Sequence, residues 1–409
     1  MSKQMDIIKI ATRLIACAVP AEHPLLSMME FPRSGEGIAV PAAKLQEYYS
    51  AVKELFAVEK TLATSYALVT FEKAVIKFIA PHVLEGTQVD KAAVREFLRN
   101  LVTLPVTEHQ IYRPINGVVK DTDCGPVTLG PFTVYHTNAD AGPLDESMRG
   151  RLGMVLLDKS EHYLIKVEVK AREPVKALEL ANALFERFER TIRFMVGPNS
   201  GFTVSILTQN TPCDKRAIVL NKSRGSSEVG RGSSIPDLDI DDAYFHDAEV
   251  GYDRIWAIFD STSNSELAKK LLLAVDWVGQ SIAEKVPSSA FIKAAIALEV
   301  LLSPPKEFIS ASITFQISES VAMLLGTDSA SRIRLETEAK RLYSIRSDVA
   351  HKGIAEVDSF DLVAMQDMAR GVVKKILTAP ALENVTDGVE MRKIFRLMKY
   401  NCPEIWTKL

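Results

Sequence analysis

RLYSIRSDVAHKG, residues 341–353, finishes a helical run and meets a glycine. The run starts at SASRIRLETEAK, and over residues 329–351 its pattern is that of one helix. Gly353 suits the left-handed conformation that ends helices. Arg346 and His351 stand five positions apart, about 140° of rotation on a straight helix. They share a face only where the helix loosens, and the nearby glycine fits a loosening.

The segments on either side read in the same way. SELAKKLLLAVDWVGQSIAEK (265–285), SSAFIKAAIALEVLLS (288–303), SASITFQISESVAMLLG (310–326), SFDLVAMQDMARGVVKKILTA (359–379) and DGVEMRKIFRLMKY (387–400) are helical in pattern, each bounded by Ser, Asp, Gly or Pro. Their short connections predict an antiparallel bundle over residues 262–409.

Upstream the texture differs. NKSRGSSEVGRGSSIPDLDIDDA (221–243) is rich in Gly, Ser and Asp, lacks periodicity, and reads as a long loop or linker. GSSEVGRG (225–232), without the Gly-Lys-Ser/Thr ending of a P-loop, reads as a mobile loop, and residues 241–261 read as the linker between domains. HYLIKVEVKA (162–171) alternates as a strand with one buried face, and EPVKALELANALFERFERTIRFMV (173–196) follows with helical spacing. GFTVSILTQ and KRAIVLNK read as further strands, and GPVTLGPFTVYH (125–136) as short strands between turns. PAAKLQEYYSAVKELFAVEKTLATSYALVTFEKAVIKFIA (41–80) fits one or two helices, and DKAAVREFLRNLV (90–102) a shorter one capped by Asp90. The expectation is an α+β chain: a mixed α/β region over 1–240, a linker, then an all-helical bundle.

With 409 residues and 47% hydrophobic content the chain supports two or three domains with real cores. A net charge of -3 argues against coating nucleic acid by bulk charge, so any such contact is local. Cys17, Cys124, Cys213 and Cys402 form no CxxC pair and read as reduced thiols of a cytoplasm. His23, His82, His109, His136, His162 and His246 lack ligand spacing, so neither metal nor cofactor is expected. Lys9 and Arg13 interrupt the apolar N-terminal stretch, which predicts neither a membrane span nor a signal peptide.

Arginine keeps its charge and offers a planar fork of donors to phosphate, while histidine titrates near neutrality. RNA self-cleavage needs those two parts: a base to take the 2′-hydroxyl proton and a cation to hold the charge gathering on the phosphate. His351 is the candidate base and Arg346 the candidate cation. General-base help is typically worth 10²–10⁴-fold, roughly 3 to 5 kcal/mol. The spacing alone would arise about once by chance in such a chain, and cations at a helix C-terminus are favoured by the macrodipole without any catalytic role.

The surrounding residues supply context. ALEVLL at 297–302, the ISESVAMLLG helix, RLYSIRSDVAHKG and the closing helix over 359–379 resemble the Apea-like group of HEPN domains, whose hallmark is Arg, four to six residues, then His. Tyr343, Ser344, Ile345, Arg346 and Ser347 follow the aromatic, two residues, Arg, Ser pattern common in that group. Lys352 is one residue more than usual between the histidine and the glycine. The similarity covers about residues 262–382 and is looser over 1–240. It implies a homodimeric bundle whose two Arg/His pairs face each other and cut RNA without metal, leaving a 2′,3′-cyclic phosphate. It also implies a prokaryotic toxin or antiviral defence effector, with an antitoxin or regulatory partner and an N-terminal region that senses or restrains. The rival is a non-catalytic HEPN scaffold that binds nucleotide, RNA or a partner protein.

Other residues are candidates for support. Ser347 and Asp348 orient the histidine or bind RNA, or are simply solvated. Glu299, in an otherwise apolar helix, needs a partner if buried, and Arg346 is available. Arg392, Lys393 and Arg396 lie among Phe395, Tyr400 and Trp406, a mixture that suits RNA backbone contact with base stacking, although such a stretch is more often an amphipathic helix packed on a bundle.

Overall fold

The computed structural model describes residues 6–21, 33–142, 144, 162–198, 204–206, 217–221, 225–229, 237–260, 265–303, 313–352 and 356–400. Gly353, Trp406, His23, Cys213 and Cys402 lie outside them, as does most of GFTVSILTQ. The chain is mixed α+β, with strands and helices in the N-terminal part and only helices over 252–399. It divides into two compact units, residues 1–111 with 168–183, and residues 112–167 with 184–409.

The first unit begins with α1 (Ile7–Cys17). A three-stranded antiparallel sheet follows, β1 (Val19–Pro20), β2 (Arg33–Gly35) and β3 (Ile38–Val40) in the order β1-β3-β2. Next come α2 (Leu45–Val58), α3 (Lys60–Ser65), α4 (Leu68–Glu85) and α5 (Lys91–Thr103). Leu14, Tyr48, Leu55, Phe71, Ile79 and Val94 make its core. The stretch expected as one or two helices is broken at Glu59 and again at Ala67, where the backbone is extended. The second break has a tertiary cause: Glu173 accepts from Ala67 N at 2.9 Å, and Arg172 N donates to Ser65 O at 2.8 Å. Asp90 caps α5 by accepting from Ala93 N at 2.7 Å, as its place before the periodic run predicts.

A four-stranded sheet has the order β4-β8-β7-β6, built from β4 (Thr107–Pro114), β6 (Val127–Leu129), β7 (Phe132–His136) and β8 (Tyr163–Ala171). The short β5 (Val118–Val119) stands apart from it. In β8, Ile165, Val167 and Val169 are buried while Glu168 and Lys170 are exposed, the expected period of two, with Leu164 buried besides. α6 (Pro174–Val196) follows, opened by its proline.

The second unit holds packed structure where composition reads as loop and linker. β9 (Ala217–Asn221) and β10 (Gly225–Val229) pair as an antiparallel hairpin, and β11 (Leu238–Asp239) pairs in parallel with β5. α7 (Tyr252–Asp260) occupies the expected linker, and Phe245, Tyr252 and Trp256 there are buried. Trp256 lies 6.5 Å from the Phe132 ring and 6.0 Å from Phe188, and its indole N–H donates to Phe245 O at 2.8 Å. Burial against a distant strand and helix, which local composition does not report, converts the segment into core.

The bundle consists of α8 (Glu266–Ala283), α9 (Pro287–Leu302), α10 (Ile313–Leu325), α11 (Ser329–Lys352), α12 (Ser359–Thr378) and α13 (Gly388–Lys399). α8 packs on α9 and α10 on α11, while α12 lies against α8, α9 and α10. Phe291, Leu298, Val321, Leu342, Met365 and Val372 are buried between them. The bundle is fastened to the second half of α6. Met195 O accepts from Tyr252 OH at 2.8 Å and from Arg370 Nη2 at 2.9 Å, satisfying a carbonyl that a helix C-terminus leaves open. At the crossing of α6 and α8, a Cβ on Gly279 would lie 2.1 Å from Arg190 O, so only glycine permits this approach. Among the described residues no helix is long and apolar enough to cross a membrane.

Candidate functional site

α11 runs unbroken through Arg346 and His351 to Lys352. The loosening that would bring the two side chains to one face is therefore absent before residue 352. By helix geometry they stand about 140° apart and about 7.5 Å along the axis within one chain. Among the described residues no contact draws the imidazole back toward the guanidinium.

Arg346 is partnered instead by Glu299 in the last turn of α9. Nη2 donates to Glu299 Oε2 at 3.4 Å, and Nε lies 3.0 Å from Oε1 without hydrogen-bond alignment. The two side chains are 28% and 24% exposed, so the pair sits at the edge of the bundle rather than inside it. One turn earlier Tyr343 is buried and its hydroxyl donates to Ala295 O at 3.3 Å. Burial, then the Glu299 carboxylate, push that phenol well above its ordinary pKa, which keeps it neutral. Since Tyr343 meets Ala295 and Arg346 meets Glu299, α9 and α11 run in the same direction.

The end of α11 is only partly buried. Arg341 binds Asp361, in the first turn of α12, at 2.6 Å and Glu338 at 2.7 Å. Residues 344–351 contain no fully buried side chain, although Ile345 and Val349 are apolar. Ser347 and His351 are exposed, Asp348 is partly buried, and His351 has no hydrogen-bond or ion-pair partner among the described residues. The Glu338–Arg341–Asp361 fastening was not foreseen, although the Glu-to-Arg spacing of three was a legible sign of it.

The cations of α13 are not brought into this constellation by any contact among the described residues. Met391, Phe395 and Met398 are buried, and α13 packs against α10. Phe395 is thus taken up in packing, as in the amphipathic helix that is the commoner reading of such a stretch. Arg392 Nε donates to Gly388 O at 3.1 Å, Lys393 and Arg396 are exposed, and Lys399 meets Glu319 at 2.8 Å. Among the described residues no three His, Cys, Asp or Glu side chains are grouped to hold a metal ion. The chain matches no protein-family model, no curated protein and no solved structure.

Proposed function

We propose that the chain is a metal-independent HEPN-type endoribonuclease of the cytoplasm, acting as a homodimer and leaving 2′,3′-cyclic phosphate ends. The observation that supports it is the state of Arg346: a guanidinium steadied by Glu299, on a helix end with no fully buried side chain, in the same two turns as an imidazole without a hydrogen-bond or ion-pair partner among the described residues. A cation held by a single carboxylate at a surface keeps donors for a phosphate, and an exposed histidine is open to a substrate. Because a straight helix separates the pair within one chain, the complete site needs Arg346 and His351 from two copies, as a two-fold contact supplies. His351 takes the 2′-hydroxyl proton, the second histidine protonates the leaving oxygen, and Arg346 neutralises the phosphorane. RNA is the substrate, the N-terminal region restrains or directs the bundle, and toxin or antiviral effector is the biological role that fits.

Arg346→Ala or His351→Ala lowers RNA cleavage in EDTA by at least about 10²-fold while leaving the circular dichroism spectrum unchanged. Equal cleavage by wild type and both variants rejects the reading. The unbroken α11 favours a second reading, a scaffold that binds RNA, nucleotide or protein without cutting. Labelled RNA separates the two, because only the enzyme generates cyclic phosphate ends.

A further inference from the structure

A cleft of about 570 Å³ opens where the second half of α6 faces the α8–α9 hairpin. Among the described residues its lining is almost wholly charged, with Arg190 and Arg193 from α6 and Lys285 and Lys293 from the hairpin, and Ala283 as the one apolar side chain. Among the described residues it offers no aromatic face, so a ligand is recognised here by charge rather than by stacking.

Arg193 is the built element. Its side chain is 14% exposed, Nη2 donates to Val204 O at 3.3 Å, and Glu189 lies 3.6 Å away. Its other donors have no partner among the described residues, and burial pulls its pKa below the ordinary guanidinium value, a penalty that an anion offsets. Lys285 is exposed at the rim, likewise without a partner among the described residues. The carboxylates of the cleft have donors of their own. Glu189 accepts from Ile206 N at 2.6 Å, and Glu284 accepts from Val286 N and Ser289 Oγ, both at 3.1 Å. When Lys293 or Arg193 turns toward a ligand, these acids are not stranded. Arg190, spent on Asp276 and Glu186, frames the wall.

We propose that this cleft binds a small phosphate-bearing molecule by its phosphate, with Arg193 and Lys285 as the principal donors and Lys293 joining them. The site is independent of the nuclease reading. A bound phosphate bridges α6 to the α8–α9 hairpin, whose second helix carries Glu299. The test is isothermal titration of the full chain with inorganic pyrophosphate at constant ionic strength. Saturable one-to-one binding is expected, weakened about tenfold by Arg193→Lys, whose single ammonium loses the fork. Lys285→Gln, at an exposed position without a hydrogen-bond or ion-pair partner among the described residues, weakens it about threefold and puts no fold at risk. Absence of saturable binding, or an affinity that both substitutions leave unchanged, overturns the proposal.

Discussion

Glu299 sets what Arg346 can do. With both side chains about a quarter exposed, the pair adds at most about 1 kcal/mol to stability. Its weight lies in orientation. Glu299→Gln keeps the shape and removes the charge, and is expected to slow cleavage roughly tenfold while the melting temperature barely moves. Initial rates in EDTA beside a thermal melt check both halves. Glu284 gives a prediction free of function. Lys293 first, then Val286 N–H and the Ser289 hydroxyl, pull its carboxyl from 4.5 down to about 2. A carboxyl with a depressed folded pKa stabilises fully above its unfolded pKa and loses that contribution as pH falls through the folded one. Glu284→Gln is therefore expected to flatten the decline of melting temperature between pH 4.5 and about 2, measured against wild type across that range. At this scale the sequence is legible where partners are near in the chain: Asp90 shows its cap, and Glu186/Arg190 and Glu189/Arg193 show their spacing of four. The Arg346–Glu299 contact spans 47 positions and is not written in either residue's neighbourhood.

Among the elements, α11 and the α6–α8 crossing matter most. The six bundle helices fall within three residues of their expected ends, because caps and a 3.6-residue stripe are local signals. α7 is not legible from its neighbourhood because its nine residues follow a Gly- and Ser-rich stretch, and the distant Phe132 and Phe188 help to make its Trp256 a core residue. The straightness of α11 past Arg346 was likewise hidden, since a glycine in the sequence suggests where a helix stops and not where it bends. The crossing yields the element-scale prediction. Gly279→Ala presses a methyl onto the Arg190 carbonyl, backbone against backbone, with no flexible side chain to yield. A loss of about 2 kcal/mol or more is expected, read as a lower urea midpoint with an unchanged m-value.

For the whole molecule, the separation of Arg346 from His351 within one chain turns the nuclease proposal into a test of assembly. Arg346→Ala and His351→Ala copies, each inactive alone, are expected to recover some cleavage, below a quarter of wild type, when mixed and allowed to exchange, because about half the dimers are mixed and each keeps one composite Arg346/His351 pair but only one of the two histidines. A mixture as inactive as its components removes the shared site. Sequence alone was enough for the α+β class, the run of helices after residue 262 and the strand period of β8. These follow from periodicity, capping and side-chain chemistry, which act over a few neighbouring residues. It took the three-dimensional packing to show that Phe245, Tyr252 and Trp256 are buried, that the bundle shares a unit with the second half of α6, and that Arg346 meets Glu299. Those outcomes depend on which distant surfaces exclude water together, and no local pattern carries that information.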